Sequence, residues 1–465
     1  MKRFSLFLVL PLTSIAHGQG DPATIARIID EGKNRNQAAR HLQYLTKQIG
    51  PRLTGSPRFQ RAADWTAGKF RDFGLQNVQL DKWGEMPVGF DRGNRQSARM
   101  LAPYERVFQF TTLAWTAGTN GPIRGRAVIE PTTIEELNRV RNQLRGAWVI
   151  GADPVTMRGP QPVAAMKEVS DAVWAAGIAG KVYSSSSESV HTHGRFQDIV
   201  WESLPSQIRV IIRKSDMEAV RQAVTGGREV TLEFDIGNRF VKGPVPLYNV
   251  VAEIKGTEKP DEVVILGAHL DSWDGPGSEG TNDNGTGSMV MLEAARILAK
   301  AKAKPKRTIR FILFGGEEQG LLGSSSYASR HQAEMDKVSA VFVDDGGTNY
   351  QGGVTATKDM AAMIEQALAP MNTAFPDMPV KVTISEKFSP GGGSDHFAFV
   401  PYGVPGFYFH ETGRQNYGFV WHTQNDRFEQ AIPEYLAQSS TNSAVIAYNL
   451  ANADKLLPRV PKSGG

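Results

Sequence analysis

The segment EVVILGAHLDSWDGPGSEGTNDNGTG, residues 262–287, decides the fold. Val263 to Ala268 form a short apolar, β-branched run without polar alternation, the pattern of a strand covered on both faces in a parallel sheet. The run stops at His269-Leu270-Asp271. A Gly-rich loop and Asn282-Asp283-Asn284-Gly285 follow, and a helical stripe of Met291, Ala294, Ala295 and Leu298 begins after them. Strand, polar loop and helix in succession are the unit of an α/β sheet. The rhythm recurs in YNVVAEIK (248–255), RTIRFILFG (307–315), SAVFVD (339–344) and VPGFYF (404–409). The expected fold is therefore α/β, a three-layer sandwich with a mostly parallel central sheet.

In such sheets, sites form at the carboxyl ends of the strands, and here the acids and histidines fall at those ends. One strand ends in His269-Leu270-Asp271, and the next loop carries Asp283. The strand at 308–314 runs into Glu317-Glu318, the strand at 339–343 into Asp344-Asp345, and a late loop supplies His422. Taken singly, each histidine reads as an ordinary hydrogen-bonded residue, Glu317-Glu318 as a solvated helix start and Asp344-Asp345 as a turn. Jointly they deliver unpaired charge to one sheet edge, which calls for a cation. Imidazole and carboxylate donors without thiolate fit zinc or a similar divalent ion.

Two histidines and three carboxylates suit two ions if one carboxylate bridges them and a water is shared. Asp283, a short carboxylate in a tight Gly-flanked loop, is the bridging candidate. Of Glu317 and Glu318, one can bind metal while the other moves a proton, and residue order alone does not say which. Neighbouring strand residues point to opposite faces, so one of Asp344 and Asp345 reaches the ions.

Upstream, Pro22 to about Phe73 is helical, broken by the turn-rich GPRLTGSPR at 50–58, and strands are expected at Val78–Trp83 and Phe108–Leu113. From about Gly121 to Gly237 the texture changes to short strands separated by helical patterns at 133–143 and 215–224. This stretch holds a Ser-rich loop, SSSSESVHTHGR, and none of the acidic clusters, and it reads as an inserted module. The pair His191 and His193 in that loop reads as solvated rather than metal-binding.

The chain has 465 residues, no cysteine and a formal charge of +4 without a basic block. Thiolate chemistry and disulfides are excluded, and neither nucleic acid nor an anionic membrane is indicated as partner. Residues 1–18 read as a cleaved signal peptide, too short in its apolar run to span a bilayer, which implies a secreted or periplasmic protein with no membrane attachment after cleavage. GPGSEG at 275–280 matches a dinucleotide fingerprint, but it does not join a strand directly to a helix.

The runs HLDSWD (269–274), TNDNGTG (281–287), GGEEQGLLGS (315–324), DGGT (345–348), GGSDHF (392–397) and HTQND (422–426) resemble the M28 family of co-catalytic zinc exopeptidases. The resemblance implies two Zn2+ ions per chain, with His269 and Asp345 on one, Glu318 and His422 on the other and Asp283 between them. It implies Glu317 as general base and Asp271 as the carboxylate orienting His269. It further implies a catalytic domain of residues 19–120 and 238–458, a protease-associated-like domain at 121–237 and a tail at 459–465. Asp395 and His396 would line the pocket. Short peptides are the implied substrates, and a homodimer is suggested by analogy. A receptor-like homologue without catalysis and a single-zinc glutaminyl cyclase-like enzyme are the competing expectations.

Overall fold

The computed structural model describes residues 19–151 and 167–462. The expected signal peptide lies outside the described residues. Six strands build the central sheet: β1 (Gln76–Asp91), β2 (Arg239–Ile254), β3 (Lys259–His269), β4 (Arg307–Phe314), β5 (Val338–Val343) and β6 (Gly406–Tyr408). Their spatial order is β1-β2-β4-β3-β5-β6. Strands β4, β3, β5 and β6 run parallel. The pair β1 and β2 is antiparallel and joins the sheet edge through β4.

Alternate residues of these strands feed two separate cores, as the period of two requires. Val264, Leu266, Ala268, Phe311, Leu313 and Phe342 face a helical layer of α1 (Pro22–Asn34), α2 (Ala38–Tyr44), α3 (Pro57–Asp72) and α4 (Thr286–Lys300). On the other face, Val263, Ile265, Ile312, Phe314 and Val341 pack on Tyr327 and Ala328 of α5 (Leu322–Arg330) and on Phe399. The result is the three-layer sandwich that the uninterrupted apolar strands imply. The α6 helix (Lys358–Ala374) and the long α7 (Pro433–Asn452) complete the first layer, with Ile364 and Val445 in its core.

A second sheet, with eight strands and its own apolar core around Trp148, Val182, Val210 and Phe234, stands beside the first. It takes in Gln96–Ala102, Arg106–Val107 and Phe110–Thr111, so it draws on residues ahead of the expected 121. Gln96–Ala102 pairs with Thr231–Ile236 and Phe110–Thr111 with Ile211 and Ile212, long-range registers that local pattern does not carry, and Arg106–Val107 adds to Arg99 and Met100. The expected strand at Phe108–Leu113 is reduced to two residues for the same reason. β1 and β2, 16 residues each, carry the chain out to this layer and back. Residues 459 and 460 are docked on the sandwich: Val460 is buried, and the Arg459 guanidinium donates to the carbonyls of Val338 and Met335.

Candidate metal centre

The strands stop where the acids begin. β3 closes on His269, which is 1% exposed, and the carbonyl of His269 accepts the Ser288 hydroxyl of α4 at 2.6 Å. The TNDNG turn enters α4 under tight packing: a Cβ on Gly287 would lie 2.2 Å from the Asp344 carbonyl oxygen. Asn284 Nδ2 donates to that same carbonyl at 2.7 Å, tying the Asp283 turn to the end of β5.

Five side chains from five segments meet here. His269 Nε2 lies 2.9 Å from Asp345 Oδ1 and 3.4 Å from Asp283 Oδ1. His422 Nε2 lies 3.0 Å from Glu318 Oε2 and 3.2 Å from Asp283 Oδ2. The two oxygens of Asp283 thus face different imidazoles. His269, Asp283 and Asp345 form one group able to hold a cation, and Asp283, Glu318 and His422 form another, with ligand atoms within 4.8 Å of one another in each.

Asp344 and Asp345 part company as a strand end dictates. Asp344 turns to the α7 side, where its carboxylate accepts Gln351 Nε2 at 2.5 Å. Burial pushes the Asp344 carboxyl up to about 7. Glu317 Oε2 stands 4.0 Å from His269 Nε2, on the rim of the group. Asp271 lies behind the imidazole: its carbonyl is 2.9 Å from His269 Nδ1, and its carboxylate accepts the Thr54 hydroxyl at 2.6 Å and the Glu317 N–H at 3.3 Å.

The electrostatics are those of an acid cluster lacking countercharge. Burial and the adjacent Asp283 charge push Glu318 up to about 7. Burial pushes the Glu317 carboxyl well above the usual range; the His269 charge opposes this, and Asp345 and Asp395 add to it. Burial lifts Asp345 too, against the pull of His269. Burial disfavours a charged His422, but Glu318 and Asp283 outweigh it and hold the imidazolium to about 10. His269 is raised likewise, by Asp345 and Glu317 against burial. Asp283 is held well below the usual range because two imidazoles outweigh its burial. Two imidazoles and their carboxylates, with ligand atoms within 4.8 Å of one another in each group, are a donor set that fits divalent ions of the zinc type.

Three supporting residues carry no assigned role in the sequence reading. Arg52, in the turn at 50–58, is fully buried and donates to the carbonyls of Leu270 (2.7 Å) and Gly280 (2.6 Å). Burial lowers its pKa to about 10, with Asp426, Asp271 and Asp283 acting the other way. Asp426 accepts the N–H groups of Asn282 (2.5 Å) and Asp283 (3.3 Å), pinning the Asp283 turn from below. Thr54 is the third. Only Asp426 left a trace, as the last residue of HTQND. Asp395 is buried beside the group, pushed up to about 8 by burial, and His396 Nε2 bonds the Gly391 carbonyl at 2.7 Å.

The His191 loop is not a solvated one. His191 pairs with Thr423 in an antiparallel bridge and stands near enough to His422 for that charge, after burial, to lower its pKa. A cleft of about 490 Å³ opens over the centre, lined by Glu317, Glu318, Leu321, Tyr408, Tyr417 and Trp421 among others. Among the described residues its lining holds acids and aromatic rings and no Lys or Arg.

The profile of peptidase family M28 matches residues 249–447. The chain is 28% identical to mouse carboxypeptidase Q over 448 residues, covering 96% of this chain and 92% of that one. It resembles the structure of a peptidase M28 precursor from Shewanella amazonensis SB2B at 25% identity and a TM-score of 0.66, over 94% of this chain and 98% of that one. A zinc aminopeptidase from Bacillus subtilis shares the fold at 21% identity and a TM-score of 0.54, over 89% and 94% of the two chains.

Proposed function

We propose that this chain, whose residues 249–447 form a zinc metallopeptidase domain of family M28, is a secreted di-zinc exopeptidase that removes terminal residues from dipeptides or short peptides. The observation that carries this reading is the split of Asp283: one oxygen faces His269 and the other His422, each imidazole with a second carboxylate of its own. In this reading His269 and Asp345 hold one ion, Glu318 and His422 the other, and Asp283 both. Two ions so placed would polarise a peptide carbonyl and acidify a water between them.

The protein's own groups do the rest. Glu317 takes a proton at its free carboxylate and returns it to the departing amine, a role suited to a buried carboxyl with an upward-shifted pKa. Asp271 orients His269 from behind and, through the Glu317 N–H, sets the base in the same frame. Tyr408, Tyr417 and Trp421 line the cleft and offer apolar contact to a substrate side chain. Residues 1–18 are read as the signal peptide that directs export, the central-sheet sandwich as the catalytic domain, and the second layer, which runs from Gln96 to Ile236, as a protease-associated-like domain. No helix among the described residues is long and apolar enough to cross a membrane.

The test is Glu317→Gln, assayed on a panel of dipeptides and aminoacyl substrates with and without chelator. The reading expects normal zinc uptake and a loss of turnover of about 10²–10⁴-fold. Substantial turnover in the variant, or chelator-insensitive turnover in the parent, would overturn it. Panel entries blocked at either end identify which terminus is attacked.

A further inference from the structure

We propose that the second layer is a positioning element of the metal centre: its loop Glu188–Gly194 clamps the segment that carries His422 and thereby sets the affinity of the ion shared by Asp283, Glu318 and His422. The inference rests on the metal reading above.

His422 adopts a left-handed backbone, with φ 57°, a conformation unfavourable for a residue with a Cβ and kept only where the surroundings enforce it. The enforcing contacts come from the second layer. The Thr192 N–H donates to the His422 carbonyl at 2.8 Å, and His191 bridges Thr423 beside it. Gln424 crosses the same gap twice: its side-chain oxygen accepts the Val190 N–H at 2.7 Å, and its nitrogen donates to the Glu188 carbonyl at 3.1 Å. Thr192 and Gln424 are buried at 2% and 9% exposure, so these bonds are shielded from water.

The clamp has a backing. The Thr192 hydroxyl is 2.7 Å from the Thr111 hydroxyl of the second sheet, and the Ala114 N–H donates to the His193 carbonyl at 2.9 Å. On the opposite side, a Cβ on Gly275 would come within 1.8 Å of Thr192 Oγ1, so the loop sits hard against the segment that follows His269. That segment is itself held to the second layer's root, where Arg92 pairs with Asp274 at 2.9 Å with both side chains buried. One loop therefore abuts two of the five ligand-bearing segments, the one that carries His422 and the one that follows His269. Loosening it would free His422 to leave the left-handed region and carry Nε2 off its positions 3.0 Å from Glu318 and 3.2 Å from Asp283. It would leave the His269 and Asp345 pair in place.

The test is a stepwise zinc titration of the full chain against a competing chelator, with the melting temperature of the metal-free protein as control. Two variants loosen the clamp from different sides, Gln424→Ala and Gly275→Ala. Each is expected to weaken one zinc step by about 10–100-fold, the effect usual for groups that orient a ligand. The affected step should be the one that Glu318→Ala abolishes, while the other stays within about twofold. Gln424→Glu, which keeps the acceptor for Val190, should fall between parent and Gln424→Ala. Unchanged zinc steps in both clamp variants overturn the inference while leaving the metal reading standing. So does an equal weakening of both steps with a lowered metal-free melting temperature, which marks a merely structural role. A parent chain that takes up no zinc overturns the metal reading and this inference with it.

Discussion

Replacing Arg52 by Met removes a buried charge at nearly constant volume and tests what holds the ligand loops together. The guanidinium reaches four carbonyls, those of Leu270 and Gly280 at 2.7 and 2.6 Å and those of Gly50 and Glu279 at 3.3 Å. Leu270 follows the ligand His269, and Gly280 opens the turn that carries Asp283. With Met, the two short bonds leave buried acceptors without donors, at about 1–3 kcal/mol each, so the loss is about 2–6 kcal/mol. That is a large part of the roughly 5–15 kcal/mol that keeps a domain folded. The assay is urea unfolding of the metal-free chain, followed by tryptophan fluorescence, beside zinc affinity. Arg52→Lys keeps the charge but cannot donate in a fork to both loops, so it should lose about half as much. A loss below about 1 kcal/mol for Arg52→Met, with zinc affinity intact, would refute the assignment of Arg52 as the tie between the loops.

Asp344→Asn should retain both zinc ions, because that carboxyl faces Gln351, whereas Asp345→Asn should lose one, as read by metal analysis after dialysis. Thr54→Val removes the 2.6 Å bond to Asp271 and is expected to lower kcat by about tenfold with KM nearly unchanged. Near pH 7, zinc uptake should release protons, since His422 at about 10 is charged and Glu318 at about 7 is half protonated; calorimetry in buffers of different ionisation enthalpy measures the number. The same two groups make the metal-free protein less stable as pH rises. The Glu318 contribution, present below about 4.5, is lost through about 7, and that of His422, present below about 6.5, is lost through about 10. A metal-free melting temperature that climbs across that window would contradict this.

The sandwich was legible because β3, β4 and β5 are buried on both faces, which writes an uninterrupted apolar run into each. The convergence of acids and histidines was legible because His269, Glu317-Glu318 and Asp344-Asp345 fall within four residues of where such a run ends, with Asp283 and His422 in the loops that follow. What could not be read depends on contacts between residues far apart in the chain. Arg52 looks like a turn residue until the loops after β3 fold over it, more than 200 residues later. Asp426 looks like the tail of a motif until its carboxylate meets the Asn282 and Asp283 amides. The second layer begins ahead of 121 because Gln96–Ala102 is recruited by Thr231–Ile236, a pairing with no local signal. The His191 loop, polar and Ser-rich, carries the composition of a solvated segment, and only the fold reveals that its backbone is paired with the His422 segment.

The central claim is that two divalent ions share Asp283. Crystals of the protein grown with zinc, measured at the zinc absorption edge, test it in one experiment. The account predicts two anomalous peaks about 3.5–4 Å apart with the Asp283 carboxylate between them, one beside His269 and Asp345 and the other beside Glu318 and His422. A single peak, or peaks that leave Asp283 uncoordinated, would contradict it.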